Sequence, residues 1–188
     1  MEITTPTALR KPRRKPGEPL LPLTMPFTII QDTREISGGG VWTFTGITGN
    51  SDEQYRPLVA PTEIATLHTG DYSLKGFENL ITVERKSAAD LFSTLASGRE
   101  RFEAEHIRMM DFRRAAVVIE SDWATMLQKP PYPSRLSPAS VFGTAVSWLV
   151  KYNIPWIACP GRRFAELTCF QILKKFHEIE IEQLKGLI

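Results

Sequence analysis

The 188-residue sequence has only two cysteines, Cys159 and Cys169. Two thiols cannot build a disulfide framework and match no metal-binding spacing, so both are expected to be reduced core residues. No apolar run approaches the ~18 residues that a membrane span needs. The opening MEITTPTALRKPRRKPGEP has no apolar stretch of the kind a secretory signal carries. These absences predict a chain that stays in the compartment where it is made and has no membrane partner. Neither GxGxxG nor GxxxxGK(S/T) occurs, so the triple glycine at 38–40 is not expected to serve a nucleotide cofactor. With 12 Gly, 14 Pro, 23% charged and 42% hydrophobic residues, the composition excludes collagen, coiled coil and wholesale disorder, and it fits one globular domain.

An excess of charge of either sign is also missing, because 23 basic residues face 21 acidic ones for a net +2. The balance is uneven along the chain. Residues 1–25 carry Arg10, Lys11, Arg13, Arg14 and Lys15 against Glu2 and Glu18, so the remaining residues are slightly acidic. Pro6, Pro12, Pro16, Pro19, Pro22 and Pro26 fall within the first 26 residues, a composition that resists helix and sheet. Residues 1–26 are therefore expected to form a disordered basic arm. It serves either as a solubilising leader or as a non-specific contact to phosphates through its five cations.

The folded domain is expected to span 27–188. Phe27-Thr-Ile-Ile30 is a buried-strand pattern that delivers Gln31-Asp-Thr-Arg-Glu35 at its end. A Gly-rich insertion at about 37–60, with a short strand at Val41–Thr45, is expected to be a mobile excursion. Gly70–Leu74 and Leu80–Lys86, separated by a Gly-containing turn, predict a hairpin. Ser87-Ala-Ala-Asp90 has the form of a capping box and opens a helix that Gly98 ends. A second helical pattern runs from Arg99 to Phe112. Its apolar face is Phe102, His106, Met109 and Met110, and Arg99/Glu103 and Arg101/Glu105 pair on the other. A buried strand at 115–120, a short helix at 123–127, a Pro-rich loop at 129–138, a helix at 139–151, a strand at 155–159 and a closing helix from Arg162 complete an α/β domain with a mixed central sheet.

The chemistry concentrates between Gly70 and Asp90. In a strand over 80–86 the period of two places Thr82, Glu84 and Lys86 on one face and Ile81, Val83 and Arg85 on the other. Asp71, on the paired strand, can approach Glu84. Two carboxylates at one point repel and raise a pKa unless a cation lies between them. Hard oxygen ligands in that arrangement suit Mg²⁺, with Mn²⁺ as a substitute. Lys86 beside them can hold or help deprotonate a water, or neutralise charge on a phosphorane-like transition state. The spacing D-(x)n-(D/E)-x-K alone fits phosphodiester hydrolysis and also fits an exposed strand with a salt bridge.

Gly70-Asp71 followed by Glu84-Arg-Lys-Ser-Ala-Ala-Asp90 resembles the signature of the XPF/Hef-type endonuclease domain of the PD-(D/E)xK superfamily. Asp32-Thr-Arg-Glu35, Ser97-Gly-Arg99 and Val117-Val-Ile-Glu120 fit the same resemblance, in order, over roughly residues 28–121. It implies a restriction-endonuclease-like fold and a metal-dependent DNA endonuclease. In that family's pattern Asp71 and Glu84 are the metal ligands and Lys86 the catalytic lysine, with Asp32, Arg34, Glu35, Arg85, Asp90 and Arg99 in a supporting cluster. The resemblance also implies DNA as partner and pairing of two copies through the nuclease domain. No tandem helix-hairpin-helix pattern follows the domain, and Glu103 stands where the family often has Gln, so selectivity for flaps, forks or junctions does not carry over automatically. A small stand-alone domain of this kind resembles viral or mobile-element forms. The alternative is a catalytically silent DNA-binding or scaffold subunit of a repair or recombination complex, although silent members typically lose the metal ligands that are complete here. Arg162 and Arg163, at the start of the closing helix, are further candidate phosphate contacts. His68, two residues before Gly70, is within sequence reach of the site. The four tryptophans are expected in the core.

Overall fold

The computed structural model describes residues 20–37, 40–49, 56–134 and 136–186. The elements in chain order are β1 (Leu23–Thr24), β2 (Ile29–Asp32), α1 (Thr33–Ser37), β3 (Ile47–Thr48), β4 (Pro57–Val59), β5 (Thr62–Ala65), β6 (Tyr72–Leu74), β7 (Ile81–Lys86), α2 (Ala88–Ser97), α3 (Arg99–Met109), β8 (Arg114–Ile119), α4 (Trp123–Gln128), α5 (Pro138–Tyr152), β9 (Trp156–Ala158) and α6 (Arg162–Lys185). Six strands form the central sheet in the order β5-β2-β6-β7-β8-β9, and a smaller sheet has the order β1-β4-β3.

In the central sheet β2 is parallel to β5, β7 to β8 and β8 to β9, whereas β6 is antiparallel to both β2 and β7. Five strands therefore point one way and β6 runs against them. The C-terminal ends of β2, β7 and β8 meet the N-terminal end of β6 at one edge of the sheet, the edge where open α/β sheets bind ligands. Side-chain alternation splits the core in two. Ile81, Val83 and Val118 face α6, together with Trp42, Phe44, Phe170 and Leu173. Val117 and Ile119 face α2, α3 and α5, together with Leu91, Phe102, Met109 and Trp148.

Local signals account for the helix boundaries. Ser87 accepts from the Asp90 N–H and caps α2, Asp122 caps α4 through Thr125, and Ser137 caps α5 just ahead of Pro138. Both cysteines are buried and free. Trp42, Trp148 and Trp156 lie in the core. Among the described residues no helix is long and apolar enough to cross a membrane.

The structure corrects three boundaries. Order begins before residue 27, since Leu23–Thr24 pairs with β4 and Met25 is buried. The arm's cations, Arg10 to Lys15, lie outside the described residues. Within the Gly-rich insertion residues 40–49 are not an excursion, because Trp42, Phe44 and Ile47 are almost wholly buried. Their strand is Ile47–Thr48 and not 41–45, as an apolar segment docked by its aromatics does not need a ladder. Met110, expected on the buried face, is exposed, and Met109 takes the place in the core.

Candidate active site

The hairpin register pairs Tyr72 with Val83, which sets Asp71 across from Glu84 on one face of the sheet. Asp71 is held from both sides. Its N–H bonds Val83 O at 3.0 Å and its C=O accepts from the Asp32 N–H at 2.8 Å. Its carboxylate accepts from the Arg85 backbone N–H at 2.8 Å. Gly70 makes the turn into this position with φ +76°, and any Cβ there would run into the Thr82 hydroxyl. That hydroxyl donates to Thr69 O at 2.8 Å, and Arg108 of α3 donates to Thr69 Oγ1 at 3.2 Å. The residue ahead of Gly70-Asp71 is thus tied to β7 and to α3.

Glu84 is 4% exposed. Lys86 Nζ lies 2.6 Å from its Oε1 and 5.1 Å from the centroid of the Phe102 ring. Glu105 of α3 completes a carboxylate group on this face through its interaction with Glu84. Burial, then the charges of Glu84 and Glu35, push the Asp71 carboxyl well above the ordinary carboxylate range, against the opposing Arg85 N–H and Lys86. Burial and Glu84 push the Glu105 carboxyl up to about 7. Lys86 is affected in the opposite sense. Burial lowers its proton affinity, but Glu84, Asp71 and Glu105 together raise it above the ordinary lysine value.

Arg85 points to the other face, as the strand period predicts. It forms ion pairs with Glu35 at 2.7 Å and Glu120 at 2.8 Å and lies 5.6 Å from the Trp42 ring centroid. Trp42 Nε1 also donates to Glu120 at 2.8 Å. Asp32 is fully buried and structural in its bonding. Arg34 bonds Oδ1 at 2.6 Å and the Leu67 N–H bonds Oδ2 at 2.7 Å. Burial works to raise the Asp32 pKa, but these donors outweigh it and hold the carboxyl below its ordinary value.

Other expected members sit elsewhere. Asp90 is exposed, and the contact that places it is the α2 cap. Arg99 donates to Thr144 at 3.0 Å and lies over Trp148, bracing α3 against α5. Its expected partner Glu103 accepts from Lys151 at 2.9 Å and from the Tyr152 hydroxyl. Arg162 and Arg163 have acceptors inside the protein. Arg162 bonds Gly40 O at 2.6 Å, Val41 O at 2.9 Å and Glu120 at 3.3 Å, and Arg163 bonds Glu166 at 2.7 Å. Arg162, together with the Phe44 N–H bond to Glu166, fastens residues 40–49 to α6. His68 is exposed.

Two site residues lie outside the sequence motif. Pairing with Arg101 places Glu105 on the outer face of α3, yet it lies three residues after Phe102 and four before Met109, so helical periodicity alone puts it on their face. Glu120 follows a buried strand, and only the packing of Trp42 and Arg85 around it reveals its use.

Among the described residues no group of three or more His, Cys, Asp or Glu is disposed to hold a metal ion. A cross-strand carboxylate pair remains. It is compatible with a hard divalent cation that takes one or two protein carboxylates and completes its shell with water and phosphate. The raised Asp71 pKa fits this, since such a buried carboxyl ionises readily only beside a cation.

Comparison with known proteins identifies the family and the fold. The family model of the ERCC4 domain matches residues 31–170. Two solved structures share the fold, XPF from Aeropyrum pernix and the same protein in complex with DNA. The first has a TM-score of 0.56 at 16% identity and covers 81% of this chain and 61% of its own. The second has a TM-score of 0.59 at 16% identity and covers 81% and 66%. The chain thus spans somewhat under two thirds of the length of either. No curated protein matches it. The α/β architecture is restriction-endonuclease-like, as expected.

Proposed function

The chain belongs to the ERCC4-domain family of XPF-type nuclease domains, and from that premise we propose that it is a divalent-metal-dependent DNA endonuclease. The observation that carries the reading is Asp71 set across from Glu84 at the C-terminal edge of the sheet with Lys86 2.6 Å from Glu84. Asp71 and Glu84 would hold Mg²⁺ or Mn²⁺, which supplies a Lewis acid for the phosphate and an acidified water as nucleophile. Arg85 fixes the Asp71 carboxylate through its backbone N–H while its side chain is anchored behind the sheet by Glu35 and Glu120. Lys86 keeps its proton, because three carboxylates hold its charge against burial. That favours electrostatic stabilisation of charge building on the phosphoryl oxygens over a role as general base. Water would add to phosphorus as the bond to the leaving sugar oxygen breaks, with one proton released to solvent and one taken from solvent by the leaving oxygen, while Lys86 neutralises the charge building on the phosphoryl oxygens.

DNA is the partner this reading requires. Pairing of two copies is supported by an exposed apolar stripe on α5, formed by Phe142, Val146, Leu149 and Val150. Asp71→Asn, Glu84→Gln and Lys86→Ala are each expected to lower cleavage of a DNA substrate by at least about a hundredfold with thermal unfolding still cooperative, and EDTA is expected to stop the unsubstituted protein. Undiminished cleavage by any of the three, or in EDTA, would sink the assignment.

A further inference from the structure

At its active end β7 is held by a neighbouring strand on one side alone. Its ladder to β8 continues through Glu84, Arg85 and Lys86, whereas its ladder to β6 pairs Tyr72 with Val83 and goes no further. On that open side the Arg85 N–H donates to the Asp71 carboxylate at 2.8 Å in place of a strand carbonyl. The spacing of Asp71 from Glu84 therefore depends on what holds Arg85, because a shift of that peptide moves the carboxylate bonded to it.

Trp42 gathers this end of the sheet. Its carbonyl accepts from the Gln31 side chain of β2 at 2.6 Å, and its backbone N–H donates to the Tyr72 hydroxyl of β6 at 3.0 Å. Its ring lies 5.6 Å from the Arg85 guanidinium of β7. Its indole N–H donates at 2.8 Å to Glu120, the residue that follows β8. β2, β6, β7 and β8 are four successive neighbours in the sheet, so one residue links all of them at the edge where Asp71 and Glu84 lie.

The indole N–H separates positioning from packing. Stacking on Tyr72, with centroids 4.9 Å apart, asks only for an aromatic ring, and phenylalanine would supply it. The nitrogen has a different use. It bonds Glu120 Oε1, the same oxygen that accepts from Arg85 Nε at 2.8 Å, so it fixes the acceptor that fixes the guanidinium. The Glu120 side chain is 11% exposed, which leaves water a poor substitute for a lost donor. Arg162 secures the junction from α6. It bonds the Gly40 and Val41 carbonyls just ahead of Trp42 and reaches Glu120 Oε1 at 3.3 Å.

We propose that Trp42 is a positioning residue of the nuclease site, acting through Glu120 and Arg85 to hold the Asp71 carboxylate where it can share a divalent cation with Glu84. The proposal rests on the nuclease reading and deepens it, since it extends control of the cation site to a segment outside the motif. The test is Mn²⁺ binding to the full chain without DNA, followed by the electron paramagnetic resonance signal of the free ion, so that cleavage plays no part. Trp42→Phe, which keeps the ring and removes the donor, is expected to weaken Mn²⁺ binding by about tenfold, the lower end of the cost of losing an outer partner of a metal ligand. Glu120→Gln, which alters the same junction from the acceptor side, is expected to weaken it by a similar factor. Ile47→Ala removes buried surface from the same segment and no donor to Glu120, so it is expected to lower the thermal midpoint and keep the parent's Mn²⁺ affinity. Parent affinity in Trp42→Phe or in Glu120→Gln would overturn the positioning role and leave the nuclease reading intact. An equal loss of affinity in Ile47→Ala would also overturn it, because any loosening of the segment would then suffice. Absence of Mn²⁺ binding by the unsubstituted protein would overturn both the positioning role and the metal-dependent reading.

Discussion

His106 shows how a residue with no apparent partner in the sequence acquires one in the fold. It is fully buried, its Nε2 accepts from Trp156 Nε1 at 2.8 Å, and its Nδ1 lies 2.9 Å from Phe102 O. An acceptor at Nε2 leaves the proton on Nδ1, so the ring is neutral and its tautomer is set by two neighbours. Burial lowers its pKa, and the Phe102 carbonyl and Glu84 offset only part of that. The unfolded chain therefore takes up a proton at a pH where the folded protein does not. The stability contributed by the neutral ring is complete above about pH 6.5 and is lost as pH falls toward the folded-state pKa. His106→Gln, which cannot take up that proton, is expected to flatten the acid limb of stability between pH 7 and pH 5. Parallel denaturant midpoints for both proteins across that range would refute this. The same contrast marks what could be read at this scale. Asp71, Glu84 and Lys86 were accessible because a period of two and a hairpin bring them together. The surroundings of His106 and Glu120 depend on helix and loop packing that connects residues far apart in the chain.

At the scale of elements, strands and helices were readable where a pattern is local. The hairpin, the α2 capping box and the Pro-led α5 all follow from neighbouring residues. Residues 40–49 were misread because glycine content speaks only of backbone freedom, whereas Trp42 and Phe44 are held by distant groups. Trp42 stacks on Tyr72 with centroids 4.9 Å apart, and the Phe44 N–H bonds Glu166 at 2.5 Å. The turn ahead of Asp71 is the most constrained connection. Gly70→Ala would combine a left-handed backbone with a clash against Thr82 and a 3.3 Å approach to Val83 O. We expect a loss of about 2 kcal/mol or more, visible as a lower thermal midpoint, together with weaker cleavage because Asp71 is displaced. A variant with the parent's midpoint would show that the turn relaxes freely.

For the molecule as a whole, the slightly acidic balance outside the arm has a local origin. Asp32, Glu35, Asp71, Glu84, Glu105 and Glu120 gather around one edge of the sheet, so this edge repels phosphate until cations enter. The basic arm is then the natural source of long-range attraction. Deleting residues 1–19 is expected to weaken DNA binding at low salt and to reduce the slope of log K against log salt by about 0.7–0.9 for each phosphate contact removed. An unchanged slope would assign the arm to another task. One detail of β7 also bears on descent within the family. On the proposed reading, side-chain alternation along the strand leaves Glu84 and Lys86 to chemistry and Arg85, ion-paired with Glu35 and Glu120, to architecture. A lineage that gave up cleavage would be free to replace the outer two and would still be obliged to keep the middle one. Arg85 would then be expected with or without the flanking pair, and only that pair would report activity.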